Sequence, residues 1–446
     1  MKLAELSDFV LKSALKLGAK DVSAISTRSE HSMVRIANSS VSVVKRMLNI
    51  GLVVYLTRDR KRIVGSTSNP TPNAVRKFVS DLFKACGTLP SSRQYAPLPR
   101  GPFNYRSPSQ YDSRITEHGE KLVDFAKEAV DASLKEGATR VAGALNAHDE
   151  QFFISTSGGA RGSDHRTRIL LNVRAFADSD ASGQGLSCAS RLDDFDPKEA
   201  GVTAGMLAKD AANPGVCEEG RYDLIMNSTV TGSTMNNVGS FASAFIVDAG
   251  LSFLANKLGS KVAAEILTLS DVTSSEDSIE GRVFDDEGVA TGDKEIIGRG
   301  TLVGYLHNST TAKIFKTKST GNAGFIEPTP WNLIVEQGEY TLDEMVKEVK
   351  RGIYVTNNWY TRFQNYREGE YSTVPRDAAF IIENGEIKRP IAGIRISDTL
   401  PRLLLNIHAI GKERSWVKWW DEVATPTLCP ALLIKDVPIS RAAGVG

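Results

Sequence analysis

The chain has 446 residues, of which 41% are apolar and 24% charged, and its formal net charge is +1. That length exceeds what one hydrophobic core organises, so two or three domains are expected. A charge this close to neutral provides no overall field to draw nucleic acid or an anionic membrane. No run approaches the roughly 20 apolar residues that span a bilayer, and the N-terminal MKLAELSDFVLKSALKLGAK has no continuous signal core. Cytoplasmic residence is therefore expected. The four cysteines (Cys86, Cys188, Cys217 and Cys429) lie far apart, which suits reduced buried thiols better than a zinc cluster.

Residues 3–17 have a helical apolar period through Leu3, Leu6, Phe9, Val10, Ala14 and Leu17, with Gly18 placed for a left-handed cap. Strand-like runs follow at 21–26, 32–37, 41–46, 51–57 and 62–67. Arg58-Asp59-Arg60-Lys61 reads as a solvated hairpin tip. A helix is expected over 72–86. Residues 88–115 contain Pro90, Pro97, Pro99, Pro102 and Pro108, the mark of a linker or a long surface excursion. A helix over 119–134 then ends in Leu134-Lys135-Glu136-Gly137-Ala138, which echoes Leu15-Lys16-Leu17-Gly18-Ala19. Strands at 141–145, 152–156 and 167–177 follow, with Gly158 to Gly162 as a hairpin turn that lacks the lysine of a phosphate loop. Helix, Gly-Ala turn and strands thus occur twice, which points to a duplicated α+β unit.

A helix over 198–212 closes the second unit at Asn213-Pro214-Gly215. The boundaries read as 1–87 for the first α+β unit, 88–115 for the Pro-rich linker, 116–215 for the second unit and 216–446 for the C-terminal domain. In that domain a strand at 222–226 leads to residues 231–259. Their stripe of Val238, Phe241, Ala242, Phe245 and Ala249 predicts one long amphipathic helix. Strands are expected at 264–269, 300–306, 332–335, 379–382 and 432–434, with helices at 341–350 and 399–410. The fold class is α+β, with a β-rich, barrel-like C-terminal domain.

Several constellations bear on chemistry. Asp285-Asp286-Glu287-Gly288 either binds a divalent cation or forms a polar turn whose carboxylates cap backbone N–H groups. Gly321 and Asn322 lie in a turn whose backbone can approach an extended ligand. The histidines (His31, His118, His148, His165, His307 and His408) are scattered without metal-ligand spacing. Trp416-Val417-Lys418-Trp419-Trp420 is an aromatic cluster for packing or for an interface. There is no Gly-x-Ser-x-Gly elbow and no Walker pattern. From spacing alone no reaction is named.

In order and spacing, several stretches resemble the TldD/PmbA family over nearly the whole chain. They are Leu15 to Val22 with Gly51, Gly137-Ala138, Gly220-Arg221-Tyr222-Asp223, Leu251-Ser252-Phe253-Leu254, Lys257-Leu258-Gly259, Phe284-Asp285-Asp286-Glu287-Gly288, Ser319-Thr320-Gly321-Asn322 and Ile382-Glu383-Asn384-Gly385. The resemblance implies an N-terminal α+β part and a β-rich C-terminal domain, associated as a dimer around an enclosed peptide cavity. TldD-type members have a His-Glu-x-x-x-His motif on a helix and a later cysteine, all directed to a metal. Counted back from Gly250, that motif falls on Met235-Asn236-Asn237-Val238-Gly239-Ser240. Met235 and Ser240 stand at the histidine positions and Asn236 at the glutamate position, while Gly239 matches. Residues five apart on a helix lie about 140° round its axis, so ligands there need a local distortion, which a glycine permits. Thioether, amide and hydroxyl groups replace the imidazoles and the base that a metallohydrolase requires. Cys429 lies beyond the expected ligand position and reads as structural.

The resemblance therefore implies the PmbA/TldE branch, a subunit without its own metal whose TldD-type partner holds zinc or a similar ion and cleaves unfolded or short peptides. Asp285, Asp286, Glu287, Gly321 and Asn322 are its candidate cavity residues, and no residue is assigned a catalytic role. The expected partners are a TldD-type subunit in a heterodimer, or a second copy, and a peptide that adds as a strand; neither nucleic acid nor membrane is expected. Two alternatives stay open: a self-sufficient metal-dependent peptidase built on Asp285, Asp286 and Glu287, and a regulatory protein of the gyrase-modulator kind.

Overall fold

The computed structural model describes the chain except for residues 93, 108, 109, 118, 179, 180, 276, 277, 421 and 443–446. His118 and Pro108, named above, lie outside the described residues. The first helix, α1 (Leu3–Lys16), buries Leu6, Val10 and Ala14 along one face. It ends where Gly18 adopts φ +97° and Ala19 N–H donates to the Ala14 carbonyl at 3.1 Å. That bond closes a Schellman-type cap, which needs a left-handed residue. Strands β1 (Val22–Ala37), β2 (Ser40–Arg58) and β3 (Lys61–Thr67) then form two hairpins, and α2 (Pro72–Thr88) packs beside α1. The tip between β2 and β3 has Asp59 and Arg60 at φ +51° and +61°, as a primed two-residue turn requires.

The second unit repeats this plan with α3 (Gly119–Lys135), β4 (Arg140–Thr156), β5 (Arg161–Phe176), β6 (Ser182–Ala189) and α4 (Pro197–Asp210). Its Gly137 sits at φ +114°, and Ala138 N–H donates to Ser133 O at 3.2 Å, the same cap as in the first unit. The two units share one antiparallel sheet of order β3-β2-β1-β4-β5-β6, joined by β1 pairing with β4 from Ser23↔Thr156 to Ile36↔Gly143. Each helix pair covers its own half, giving one core around Leu6, Val10, Val54 and Val79 and another around Leu122, Ala126, Leu145 and Leu171. The Pro-rich stretch between them lies against the body. Tyr95 and Leu98 are buried, and the Tyr95 hydroxyl donates to Asp21.

In the C-terminal part β7 (Gly220–Met226) leads to α5 (Ser228–Phe241) and α6 (Ala244–Asp248). The single long helix expected over 231–259 is thus broken. The chain leaves α5 at Ala242 because Ser243 bridges Leu306: Ala244 N–H donates to Leu306 O and Leu306 N–H to Ala242 O, both at 2.9 Å. Past that break Phe245 and Ala249 face solvent, so the predicted stripe ends at Ala242.

The strands that follow are β8 (Leu269–Asp271), β9 (Leu333–Val335), β10 (Arg351–Val355), β11 (Ala379–Glu383), β12 (Ile407–Trp419) and β13 (Val423–Arg441), within a branched mixed sheet of 14 strands. Long β13 is its spine, paired with β9, β7 and β12. Two expectations are corrected here. The strand read at 300–306 shrinks to Thr301–Leu302, because loop bonds such as Val262 and Ala263 N–H to Gly300 O take over the backbone groups. The helix read at 399–410 stops at Leu405, and Ile407 already pairs with Ile434 in the sheet.

The two parts meet on the face of the N-terminal sheet opposite its helices. Glu150 accepts from Arg166 at 2.8 Å and Arg168 at 2.6 Å, and Glu280 of the C-terminal part lies 3.3 Å from Arg168 and 3.2 Å from Lys418. Burial works against a charged Glu150, but the two guanidiniums outweigh it and hold its carboxyl well below the usual range.

Candidate functional site

Helix α5 starts at Asn227, whose side chain accepts from Val230 N–H at 3.0 Å as an N-cap. Ten of its 14 residues are buried, polar Thr231, Ser233, Thr234 and Asn236 among them. Such a helix lies inside the domain instead of on its surface. Gly232 and Gly239 let it sit close to the sheet. A Cβ at Gly232 would stand 2.9 Å from Val417, and one at Gly239 would stand 2.6 Å from Leu333. Gly239 therefore serves close packing on β9, within regular helix.

The three degenerate motif positions are engaged locally. Met235 is fully buried in the C-terminal core with Val238, Phe241 and Leu333. Asn236 donates through Nδ2 to the Thr425 carbonyl at 2.9 Å, tying the helix to β13. Ser240 Oγ donates to the Asn236 carbonyl at 3.0 Å. A thioether in an apolar core, an amide directed at a carbonyl and a hydroxyl turned onto its own helix do not fit a divalent metal. Cys429 is buried and its Sγ lies 3.2 Å from Ser228 O; burial pushes the thiol well above its ordinary range. All four cysteines are buried and free.

The carboxylates form a second site. Asp285 is fully buried, and its Oδ1 accepts from the N–H of Glu287 at 3.0 Å and Val289 at 2.9 Å. Its Oδ2 accepts from Ala323 N–H at 3.0 Å. This bond brings together the two predicted turns, because Ala323 directly follows Gly321 and Asn322. Asp286 is ion-paired with Arg282. Glu287 accepts from Ser309 N–H at 2.9 Å and from its hydroxyl at 2.5 Å. Burial pushes the Glu287 carboxyl up to about 7, against those two bonds, and burial beside Glu287 raises Asp285 as well. Among the described residues no group of three or more His, Cys, Asp or Glu side chains is placed to hold a metal ion.

Gly321, at φ +71°, accepts the Trp331 indole N–H at 2.9 Å. Asn322 donates to Asp271 at 2.6 Å and to Thr329 O at 3.0 Å. Asp271 is the residue that sequence reading missed. It is fully buried, accepts from Trp331 and Asn332 N–H at 2.7 and 3.2 Å, and lies 3.1 Å from Lys294. Only a bare Leu-Ser-Asp marks it in the sequence. The carboxylate turn also docks the two parts of the chain. Ser23 Oγ donates to the Asp286 carbonyl at 2.8 Å, and Val283 and Phe284 pack on Ile25, Phe152 and Ile154. Met235 and Phe284, the neighbour of Asp285, thus belong to separate cores.

Of the histidines, His307 is buried and pushed down to about 4 by desolvation, and His165 lies 2.8 Å from Asp149. In the tryptophan cluster Trp419 is core, whereas Trp420 is 66% exposed beside Trp359.

The chain is thus a two-part α+β protein, with a motif helix buried against a strand-rich sheet. Residues 219–441 match the model of the PmbA/TldA metallopeptidase C-terminal domain, and residues 117–213 match that of its central domain. The chain belongs to the TldD/PmbA metallopeptidase family.

Among curated relatives it is 26% identical over 267 residues to a metalloprotease of Methanothermobacter thermautotrophicus, covering 55% of this chain and 57% of that one. It is 32% identical over 218 residues to metalloprotease PmbA of Escherichia coli O157:H7, covering 49% of this chain and 45% of that one. The matches thus span about half the length of these two relatives. Two solved structures match almost throughout. TldE of Thermococcus kodakarensis has a TM-score of 0.86 at 18% identity, covering 98% of this chain and all of that one. A Thermotoga maritima protein described as a candidate modulator of a DNA gyrase has 0.85 at 23% identity, covering 98% and 99%. At these identities the likeness is one of fold.

Proposed function

We propose that this chain is a metal-free companion of a TldD-type metallopeptidase subunit, forming part of the cavity in which that subunit cleaves unfolded or short peptides. The observation that carries the reading is the state of the motif helix, with Met235 in the core, Asn236 bonded to Thr425 O and Ser240 bonded to its own helix. Its relatives include a TldD homolog of Haemophilus influenzae, 23% identical over 291 residues. That kinship suits a chain built to work beside a catalytic member of its own family. The cytoplasm is its proposed location. Using Asp285, Asp286 and Glu287 as metal ligands would displace three backbone N–H groups, Arg282 and Ser309 from the carboxylates.

The test is metal content per chain in tag-free protein, followed by cleavage of an unfolded peptide with and without a TldD-type subunit. Metal near zero, no cleavage alone and cleavage by the mixture are expected. Metal-dependent cleavage by the isolated chain would sink the reading.

A further inference from the structure

Strands β1 and β4 lie at the centre of the N-terminal sheet, and every second residue of each faces the helices. On β1 that face starts with Val22 and Ala24 in one core and ends with Val34 and Ile36 in the other. Between them come Ser26, Arg28, Glu30 and Ser32. On β4 the same face passes from Ala147, in the second core, to Asp149 and Gln151. Both central strands thus turn polar at one level, in the seam between the two helix pairs. A cleft of about 560 Å3 opens there. Clefts of this size suit small molecules when apolar walls surround a few polar groups that fix orientation.

The floor of the cleft is one row of the sheet. Ile50, Arg28, Gln151 and His165 are register partners across β2, β1, β4 and β5. Leu3 and Phe153 extend the apolar wall, and Ser26 Oγ donates to Leu3 O at 2.8 Å, which fixes that rim. His165 is held by Asp149 at 2.8 Å and covered by the Tyr111 ring, 3.8 Å away between centroids. The nearby acids are already engaged. Glu30 accepts from Arg46 Nε at 2.7 Å, Asp149 is taken by His165, and Glu5 accepts from Lys2 N–H at 3.0 Å. Asp164 accepts from His165 and Val283 N–H at 2.8 and 3.1 Å. Among the described residues Arg28 has a single acid contact, Glu30 at 3.4 Å, so most of its N–H donors are left for a ligand. We propose that this seam binds a small molecule with one carboxylate and an apolar body, the carboxylate on Arg28 and the body against Leu3, Ile50 and Phe153. A guanidinium receives a planar carboxylate through two parallel bonds. A doubly charged phosphate suits the seam less well, because Glu30 and Asp149 lie in the next row and Lys2 on the rim is the one further cation. Phe152 and Asp164, which also line the cleft, reach Phe284 and Val283 at the junction with the C-terminal part. The ligand therefore sits on the stretch of β4 and β5 that holds the two parts together.

This inference rests on the N-terminal sheet and stands apart from the reading of α5. It is tested by calorimetric titration of the full chain with three probes: hexanoate, its uncharged counterpart hexanamide, and inorganic phosphate. Hexanoate is expected to bind at least tenfold more tightly than either of the others. Arg28→Gln removes the charge that receives the carboxylate, and at least a tenfold loss of hexanoate affinity is expected. Ile50→Glu is the second variant. It sets an acid directly opposite Arg28, where it pairs with the guanidinium and expels the ligand, so a similar loss is expected. Far-UV circular dichroism of both variants checks that the sheet is intact. The proposal is overturned if hexanoate does not bind, if hexanamide or phosphate binds as tightly, or if hexanoate affinity is undiminished in either folded variant. Metal content and peptide cleavage, which test α5, leave this result untouched.

Discussion

His31 and His148 stack face to face across the β1–β4 pairing, with ring centroids 4.2 Å apart and planes within 5°. The contact sits where the two duplicated units join. Burial, with Arg168 and His31 beside it, pushes His148 down to about 2, so the folded chain keeps this imidazole neutral. The unfolded chain takes up the proton below the ordinary 6.5. It therefore binds more protons than the fold, and stability falls as pH drops from about 6.5 towards 2. Comparing urea midpoints between pH 7 and 4 tests this. His148→Phe is expected to flatten the decline by up to about 1.4 kcal/mol per pH unit, and parallel profiles for the two proteins would refute it.

Gly18 and Gly137 occupy equivalent caps at φ +97° and +114°. Alanine at either position is strained by about 1 kcal/mol or more. The cost is expected to be larger at Gly137, where a Cβ would stand 3.3 Å from the Lys209 side chain. Thermal melts of the two single variants check the order. Equal melting temperatures for wild type and both variants would remove the argument for the repeated cap.

Asp285 accepts three backbone N–H groups while fully buried. Asp285→Ala leaves those donors unpaired, and a loss of about 3 kcal/mol is expected. The decisive condition is the presence of a chelator. A structural carboxylate gives the same loss with and without EDTA, whereas a metal ligand gives a loss only in protein that has metal to lose.

Met235→His puts an imidazole into a fully buried apolar position. A destabilisation of about 2 kcal/mol is expected, with neither zinc uptake nor peptidase activity, because Asn236 and Ser240 still supply no base and no second ligand. Zinc analysis and a peptide assay on this one variant suffice, and turnover would count heavily against the companion-subunit reading.

Much of the N-terminal fold is legible in the residues themselves. The Leu6-Val10-Ala14 stripe, the twin Gly-Ala caps and the Arg58-to-Lys61 tip each follow from local periodicity or turn chemistry. Strand β6 is not legible, because Ser182–Ala189 reads SGQGLSCA and lacks both alternation and β-branched residues. The sharing of one sheet is hidden too, since the β1–β4 register is a long-range choice. The end of α5 depends on Leu306, which lies far along the chain from Ser243, so no nearby residue signals it. At the candidate site the polar-turn option for Asp285 was present in the sequence. The role of Asp271 was not, because its partners Asn322, Trp331 and Asn332 come from a loop with no regular period.

The junction of β1 with β4 also governs how the chain emerges from a ribosome. His31 reaches Asn146 across a separation of 115 residues, at 2.9 Å. The first unit is synthesised well before that neighbour exists, with β1 exposed along its open side. It can complete its hydrogen-bonded ladder only after residues up to Thr156 have cleared the exit tunnel. Pairings this distant form slowly, and unpaired strand edges attract the wrong neighbours meanwhile. Nascent chains halted before residue 140 are the ones that most need a chaperone to hold β1.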